Sequence, residues 1–150
     1  DNQKRLIGII SRQDVLKAMQ YMQKQPQVGE TFVDLITTRF IETNDEKGYY
    51  FKGEVTPQMT NHLGTLSSGV LTTLMTYAAK KIINRQKKGD LVIENCSTYF
   101  FKPVQIESVV EIYPRILETS RKYGKVDVEV YHDNQLVAKA IVTAQLMDRT

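Results

Sequence analysis

Apolar residues between Val70 and Ile83 recur at three- and four-residue spacing, which predicts one long helix. The first charged residue within this run is Lys80, so the helix is expected to have neighbours on nearly every side. Glycines and serines in residues 61–69 supply a turn and a cap before the helix, and Gly89 supplies a stop after it. The apolar positions are Val70, Leu71, Leu74, Met75, Ala78, Ala79, Ile82 and Ile83.

Segments on either side of this helix have the composition of strands. Val126, Val128 and Val130 alternate with polar residues, which is typical of a strand with one exposed face. Two strands before the helix form a predicted hairpin with its turn at residues 44–48, and four longer strands follow the helix as an antiparallel meander. The segments are residues 32–43, 49–55, 91–102, 108–118, 125–131 and 135–147. The predicted fold class is therefore α+β, with one antiparallel sheet wrapped around one central helix.

Composition excludes several classes of function. The net charge is +3 with 25% charged residues, which is too small a positive excess for a nucleic-acid-binding surface. The single cysteine, Cys96, excludes an intrachain disulfide and a cysteine-rich zinc site, so we expect a cytoplasmic location and no metal. The longest charge-free stretch, residues 63–79, is too short and too rich in Ser, Thr and Gly to span a membrane.

The first 24 residues have the pattern of a separate β-α unit. A predicted buried strand leads into Ser11 as an N-cap and then into a helix. The pattern Gly8-x-x-Ser11-x-x-Asp14 resembles the closing strand and helix of a cystathionine-β-synthase-type (CBS) domain, in which such a Ser and Asp hold the ribose and phosphate of an adenine nucleotide. Nucleotide binding needs the rest of that domain. Within this chain, a capping role for Ser11 and a first-turn role for Asp14 are sufficient explanations.

A linker is predicted next in the chain. Pro26 discourages helix at the residue before it, and Gly29 interrupts regular structure again. We therefore predict three parts: a CBS remnant over residues 1–24, a linker over residues 25–31, and one domain over residues 32–150.

The stretch Asn61-His62-Leu63-Gly64-Thr65-Leu66-Ser67-Ser68-Gly69 resembles the helix-entry motif of hotdog-fold acyl-CoA thioesterases. Many members of that family have Asn/Gln-x-x-Gly-x-x-His-Gly-Gly there, followed by a helix with an acidic residue seven positions after the second glycine. This chain has Thr76 at the acidic position, Ser67 in place of the histidine and Ser68 in place of the first glycine.

Two further segments carry the same likeness, which extends over about residues 32–148. Residues 100–104 are similar to the family's Phe-x-Arg/Lys-Pro-Val strand end, and residues 134–138 are similar to its Gly-x-Leu-Val-Ala hairpin. The resemblance implies a hotdog fold and a homodimer or tetramer. It also implies an acyl-CoA ligand whose pantetheine arm lies between subunits, and no cofactor besides that thioester.

The resemblance also assigns roles to individual residues. A thioester carbonyl becomes an oxyanion on attack, and backbone amides at a helix N-terminus stabilise that charge. On this pattern Gly69 lets the substrate approach the backbone, and Asn61 positions an attacking water or supports the carbonyl. The candidate substrate-binding residues are Gly64, Ser67, Ser68, Thr72 and Thr73. The candidates for the CoA phosphates, by charge alone, are Arg121, Lys122 and Lys125.

The departures from the family pattern decide between hypotheses. Thr76 carries no negative charge and cannot act as the general base, a role that contributes about 10²–10⁴ in rate. The leading hypothesis is therefore an acyl-CoA-binding domain with weak or absent hydrolysis, in a longer protein with CBS modules. One alternative is an active thioesterase in which another carboxylate, or water held by Asn61, restores turnover. Another is a dimerisation module without ligand.

Structural explanations stay open beside each functional one. Ser67 and Ser68 are also suited to cap the helix, and Asn61 is also suited to order its loop. The threonines of the helix also fit as packing residues in an oligomer interface. Cys96 fits as a small buried apolar residue.

Overall fold

The computed structural model describes residues 32–147, which form one sheet crossed by one long helix. The predictions for residues 1–24, including Ser11 and Asp14, and for the linker at residues 25–31 lie outside the described residues. The helices are α1 (Phe32–Thr37) and α2 (Ser68–Asn84), and a 3₁₀ turn covers Pro57–Met59. The strands are β1 (Ile41–Asp45), β2 (Gly48–Glu54), β3 (Leu91–Phe100), β4 (Val109–Thr119), β5 (Tyr123–His132) and β6 (Gln135–Leu146).

The strands pair antiparallel in the order β1-β2-β4-β5-β6-β3. The four strands predicted after the helix are confirmed. The predicted meander is wrong in one respect, because β3 pairs with β6 and not with β4, so that Cys96 lies opposite Val142. β4 pairs with β2 on one side and with β5 on the other. β3 therefore pairs with the free edge of β6. Periodicity assigns the faces of a strand but not its neighbour.

The first predicted strand is wrong over its N-terminal half, which is helix α1. Ile36 and Thr37 at the end of α1 are buried, and so is Phe40 in the turn that follows, a three- to four-residue spacing that β-branched composition concealed. β1 then continues through Asp45, two residues into the predicted turn. Gly48, with φ +102°, follows the two turn residues and begins β2.

The apolar stripe of α2 packs on the concave face of the sheet and forms the core. Met75 and Ala78 have no exposed surface and belong to one cluster with Val128 of β5 and the valines beside it. The opposite stripe of the helix is different, because Ser68 and Gly69 are exposed and the residues that follow on that side are half-buried. The sequence predicted that this helix has neighbours on nearly every side. Within one described chain, α2 has them along one stripe only.

Helix α2 ends at Asn84, before the predicted stop at Gly89. The amides of Gln86 and Lys87 both donate to the carbonyl oxygen of Ile83, at 3.0 and 2.9 Å, which closes the last turn early. Gly89 has φ +136° and lies in the connection to β3, so its role is to turn the chain and not to cap the helix.

Removing the side chain at the centre of this core should cost much of the stability. We expect Met75→Ala to lower the free energy of unfolding by about 2–5 kcal/mol, because the substitution leaves a cavity at a fully buried site. Leu117→Ala is the matched control, since Leu117 is 46% exposed. Urea denaturation at equal chain concentration measures both. Equal losses in the two variants would contradict the packing described above.

Candidate functional site

A groove of about 280 Å³ lies beside the first residues of α2. Backbone bonds bring its walls together, because Leu66 donates to Val104 at 2.7 Å and Ser67 donates to Met59 at 2.8 Å. These bonds join the loop before the helix to the segment that follows β3. The lining residues are Asn61, Thr65, Leu66, Ser68, Leu71, Phe100, Phe101, Lys102, Pro103 and Val104.

The start of α2 is uncapped within the described residues. Ser67 occupies the N-cap position with extended backbone angles, but its side chain makes no capping hydrogen bond. The amides of Ser68, Gly69 and Val70 have no acceptor in residues 32–147. A Cβ placed on Gly69 would have Ser67 Oγ, at 3.7 Å, as its nearest neighbour. The helix therefore presents unpaired amides and the positive end of its dipole to open space.

The side chain of Asn61 orders the loop that precedes the helix. Its Oδ1 accepts from the amides of Leu63 and Thr65, at 2.9 and 3.2 Å, and its Nδ2 donates to Thr65 Oγ1 at 2.9 Å. Gly64 completes this turn with φ +78°, and its amide donates to the Asn61 carbonyl. The structural interpretation of Asn61 is therefore supported, because its side chain holds the loop through three hydrogen bonds.

The threonines predicted for the site lie on the helix but not in the groove. Thr72, Thr73 and Thr76 are half-buried, and none of them lines the groove. Thr73 Oγ1 donates to the Gly69 carbonyl at 2.9 Å, and Thr76 Oγ1 donates to the Thr73 carbonyl at 3.0 Å. These three residues therefore form a polar stripe on the side of α2 that the sheet leaves uncovered.

The groove contains a positive charge and no carboxylate. Among the described residues, Lys102 is the one charged residue in its lining, and Lys102 Nζ donates to Gln135 Oε1 at 3.1 Å. The carboxylates nearest in sequence, those of Glu54, Asp90 and Glu94, belong to exposed residues outside this lining. The electrostatics therefore suit an anion or a developing negative charge, and the groove has no general base of its own.

Within the described residues, neither a cysteine nor a metal cluster belongs to the groove. Cys96 lies on β3, and burial raises the pKa of its thiol, which works against a thiolate nucleophile at neutral pH. No three His, Cys, Asp or Glu residues in the described chain lie close enough together to hold a metal ion.

The basic residues predicted for the CoA phosphates lie at the other end of the helix. Arg121 and Lys122 are exposed in the turn between β4 and β5, and Lys125 follows in β5. That turn adjoins the C-terminal end of α2, because a Cβ on Gly124 would lie 2.8 Å from Ile83 Cδ1. A 17-residue helix is about 25 Å long, so one chain does not bring these residues to its own groove.

Sequence reasoning missed part of the groove wall. Phe100, Phe101, Lys102 and Pro103 line the groove, although they were not candidate site residues. Their match to a family strand end was the available signal. This match identified the segment but did not predict that the segment lies beside the start of α2. That position depends on the bond from Leu66 to Val104, which connects residues far apart in the sequence.

Comparison with known proteins gives matches over the same region. Residues 63–139 match the family model of the thioesterase superfamily. The chain is 52% identical over 152 residues to uncharacterized protein YtoI of Bacillus subtilis (strain 168), covering 100% of this chain and 35% of that protein. It therefore spans about a third of the length of that curated relative.

Solved structures match the described fold. The crystal structure of BH2602 protein from Bacillus halodurans with CoA has a TM-score of 0.71 and 20% identity, covering 92% of this chain and 94% of that one. A hypothetical thioesterase protein with coenzyme A from Streptococcus pneumoniae TIGR4 has a TM-score of 0.66 and 18% identity, covering 75% and 88%. At these identities the likeness establishes the fold, and the expected hotdog fold is confirmed.

Neither of the helices in residues 32–147 has the length and apolar character that crossing a bilayer requires. The expected cytoplasmic location stays a prediction.

The loop role of Asn61 predicts a graded effect of substitution. Asn61→Ala removes both backbone hydrogen bonds, each worth about 0.5–1.5 kcal/mol, whereas Asn61→Asp keeps an oxygen acceptor. We therefore expect the alanine variant to lose clearly more stability than the aspartate variant. Gln58→Ala, at an exposed position in the preceding turn, is the control. Thermal unfolding measures the series, and an alanine variant as stable as the control would remove Asn61 from the loop's support.

Proposed function

We propose that this chain, which belongs to the thioesterase superfamily and has the hotdog fold, binds a coenzyme A thioester with its acyl carbonyl at the start of α2. The observation that carries the proposal is the uncapped helix start beside a groove. Within residues 32–147, the amides of Ser68, Gly69 and Val70 have no acceptor, and Gly69 leaves the approach to the helix start open. A thioester oxygen is a suitable acceptor for such donors.

The ligand class also has support from the comparisons. The structures of the Bacillus halodurans and Streptococcus pneumoniae proteins are described as containing CoA. Coenzyme A carries several phosphate charges, and the groove of this chain contains Lys102 and no carboxylate. Phe100 and Phe101 supply apolar surface for the rest of the ligand.

A second copy of the chain would complete the site. β3 is an edge strand of the sheet. Near its C-terminal end, the side chains of Tyr99 and Phe101 are 57% and 53% exposed. An unpaired strand of this kind is suited to pair with its own copy. Such a homodimer would also cover the half-buried threonine stripe of α2, where the predicted ligand-binding residues Thr72 and Thr73 lie.

Antiparallel pairing of two β3 strands would also bring the turn between β4 and β5 of one copy close to the groove of the other copy. The start of β3 adjoins this turn, because Leu146, paired with Leu91, donates to the Lys122 carbonyl at 2.7 Å. In an antiparallel pair, the start of the partner's β3 lies opposite Phe100, at the groove. Arg121, Lys122 and Lys125 of the second copy would then lie near the ligand's phosphates.

Hydrolysis is expected to be weak. A thioesterase needs a group that activates water or attacks the carbonyl, and in the part of the chain that the structure describes no residue of the groove lining has a carboxylate. We therefore propose a binding or sensing module within a longer protein. The CBS region proposed for that protein is consistent with such a role.

Binding should depend on the open approach at Gly69. We expect Gly69→Val to weaken acyl-CoA binding at least about tenfold, because its side chain would cover the amides while meeting no wall of the fold. Gln58→Val is the control, since it adds the same side chain at an exposed site outside the groove. Calorimetric titration with acetyl-, octanoyl- and palmitoyl-CoA measures the affinities. Equal affinities in the two variants, or no binding by the unmodified chain, would refute the proposal.

A restored carboxylate should convert binding into turnover. We expect Thr76→Asp to raise the rate of thiol release from acyl-CoA by about 10² or more, because it supplies a base at the position that the family pattern reserves for it. Thr76 lies outside the groove of its own chain, so this base would act across the proposed homodimer. Thr76→Asn has nearly the same shape without the charge and is the matched control. The comparison also addresses the alternative of an active thioesterase. If the unmodified chain already hydrolyses acyl-CoA rapidly and Thr76→Asp adds nothing, the expectation of weak hydrolysis is wrong and the reaction does not need a carboxylate at residue 76.

A further inference from the structure

A second groove, of about 520 Å³, lies at the opposite end of α2 from the first. Its helix wall is made by Ile82, Arg85 and Gln86, and its strand wall by residues 114–116 of β4. Because α2 is about 25 Å long, this groove is separate from the one at Gly69. The proposed CoA site makes no use of it.

The groove exists because the sheet is incomplete at this point. β2 pairs with β4 only as far as Phe51 opposite Ile112, and Pro114 has no amide hydrogen with which to extend the ladder. The register of β4 also shifts between Ile116 and Glu118, which bends the strand further. Within residues 32–147, the C-terminal half of β4 therefore has no strand on that side, and α2 lies next to it.

The floor of this groove is apolar and firmly held. Ile82 and Ile116 pack against the core from its margin, and Pro114 is buried. The ring of Tyr49 completes the floor. That ring packs edge-on against Phe51 at 5.4 Å between centroids, and its hydroxyl donates to Glu42.

Two arginines at the rim give the groove a positive charge. The Arg85 guanidinium lies 4.1 Å from the centre of the Tyr49 ring, and it has no carboxylate partner within residues 32–147. Arg115 is 73% exposed in its side chain and reaches Asp127 at 3.4 Å. Asp127 already has Lys139 at 2.9 Å, so Arg115 can turn to a ligand without leaving that carboxylate unpaired.

The geometry points to a binding site for an amphipathic carboxylate, such as a free fatty acid. The apolar chain would lie on Ile82, Pro114 and Ile116, and the carboxylate would accept hydrogen bonds from Arg85 and Arg115, whose planar forks match it. Among residues 32–147, no Asp or Glu lines the groove, and the nearby carboxylates of Glu42 and Asp127 are bonded to Tyr49 and Lys139. This site goes beyond the proposed thioester binding and stands independently of it.

Methyl NMR of the full 150-residue chain, labelled at isoleucine Cδ1, tests this site directly. We expect octanoate to shift the methyl signals of Ile82 and Ile116 in a saturable manner. Ile106 serves as a reporter for the other groove, because its amide bonds to the carbonyl of Gly64 in the loop before α2. Octan-1-ol and octylammonium have the same chain without the anion and should bind at least tenfold more weakly. Shifts at Ile106 alone, no saturation, or equal binding of the alcohol would overturn the assignment.

Substitution of the rim arginine provides the second test. We expect Arg85→Ala to raise the Kd for octanoate at least tenfold. Lys88→Ala is the matched control, because Lys88 is an exposed cation a few residues further on that does not line the groove. Arg115→Ala gives an independent variant, with a loss of the same sign expected. If both arginine variants bind octanoate as the Lys88→Ala variant does, the groove is not an anion site.

Discussion

The burial of one stripe of α2 against the concave face of the sheet is the constraint on which the rest of the structure depends. Met75, Ala78 and Ala79 have no exposed surface, and the valines opposite them alternate with polar residues on the outer face. Burial of this area is the main favourable term in the stability of the fold. It fixes the rotation of the helix about its axis, and that rotation decides which residues remain uncovered.

The uncovered side follows from the same packing. Once Val70 and Leu71 are buried, Ser68 and Gly69 must face outward and the threonine stripe must lie on the open flank. A helix start normally finds a capping side chain or water, and here the loop held by Asn61 does not supply one. The exposed amides of Ser68 and Gly69 have water as their partner in the free chain. A ligand that accepts hydrogen bonds from them therefore takes the place of that water.

The sequence predicted the elements of this fold better than their arrangement. The long helix was found because its apolar stripe continues without a charge up to Lys80, and the strand of Val126, Val128 and Val130 was found by its period of two. The place of β3 beside β6 was not predictable, because alternation contains no information about strand partners. Residues 32–37 were misassigned because β-branched and aromatic residues outweighed a short helical period.

The candidate site was predictable to a similar extent. The helix-entry motif located Asn61 and Gly69, and the structure brings Asn61 and Ser68 into one groove. Residues 100–104 join that groove through long-range backbone bonds, which no local pattern reveals. Arg121, Lys122 and Lys125 were predicted as phosphate ligands by charge alone, and they lie at the far end of the helix. Their proposed role in binding requires a second copy of the chain.

The central claim is that the amides opening α2 contact the thioester. Amide NMR of the chain with a nonhydrolysable acyl-CoA thioether and with its acyl-CoA ketone analogue tests it most directly, since only the ketone keeps the carbonyl oxygen. We expect the signals of Ser68, Gly69 and Val70 to shift further with the ketone than with the thioether, because those amides donate to that oxygen. Identical shifts with the two analogues, or shifts confined to residues away from the helix start, would contradict the claim.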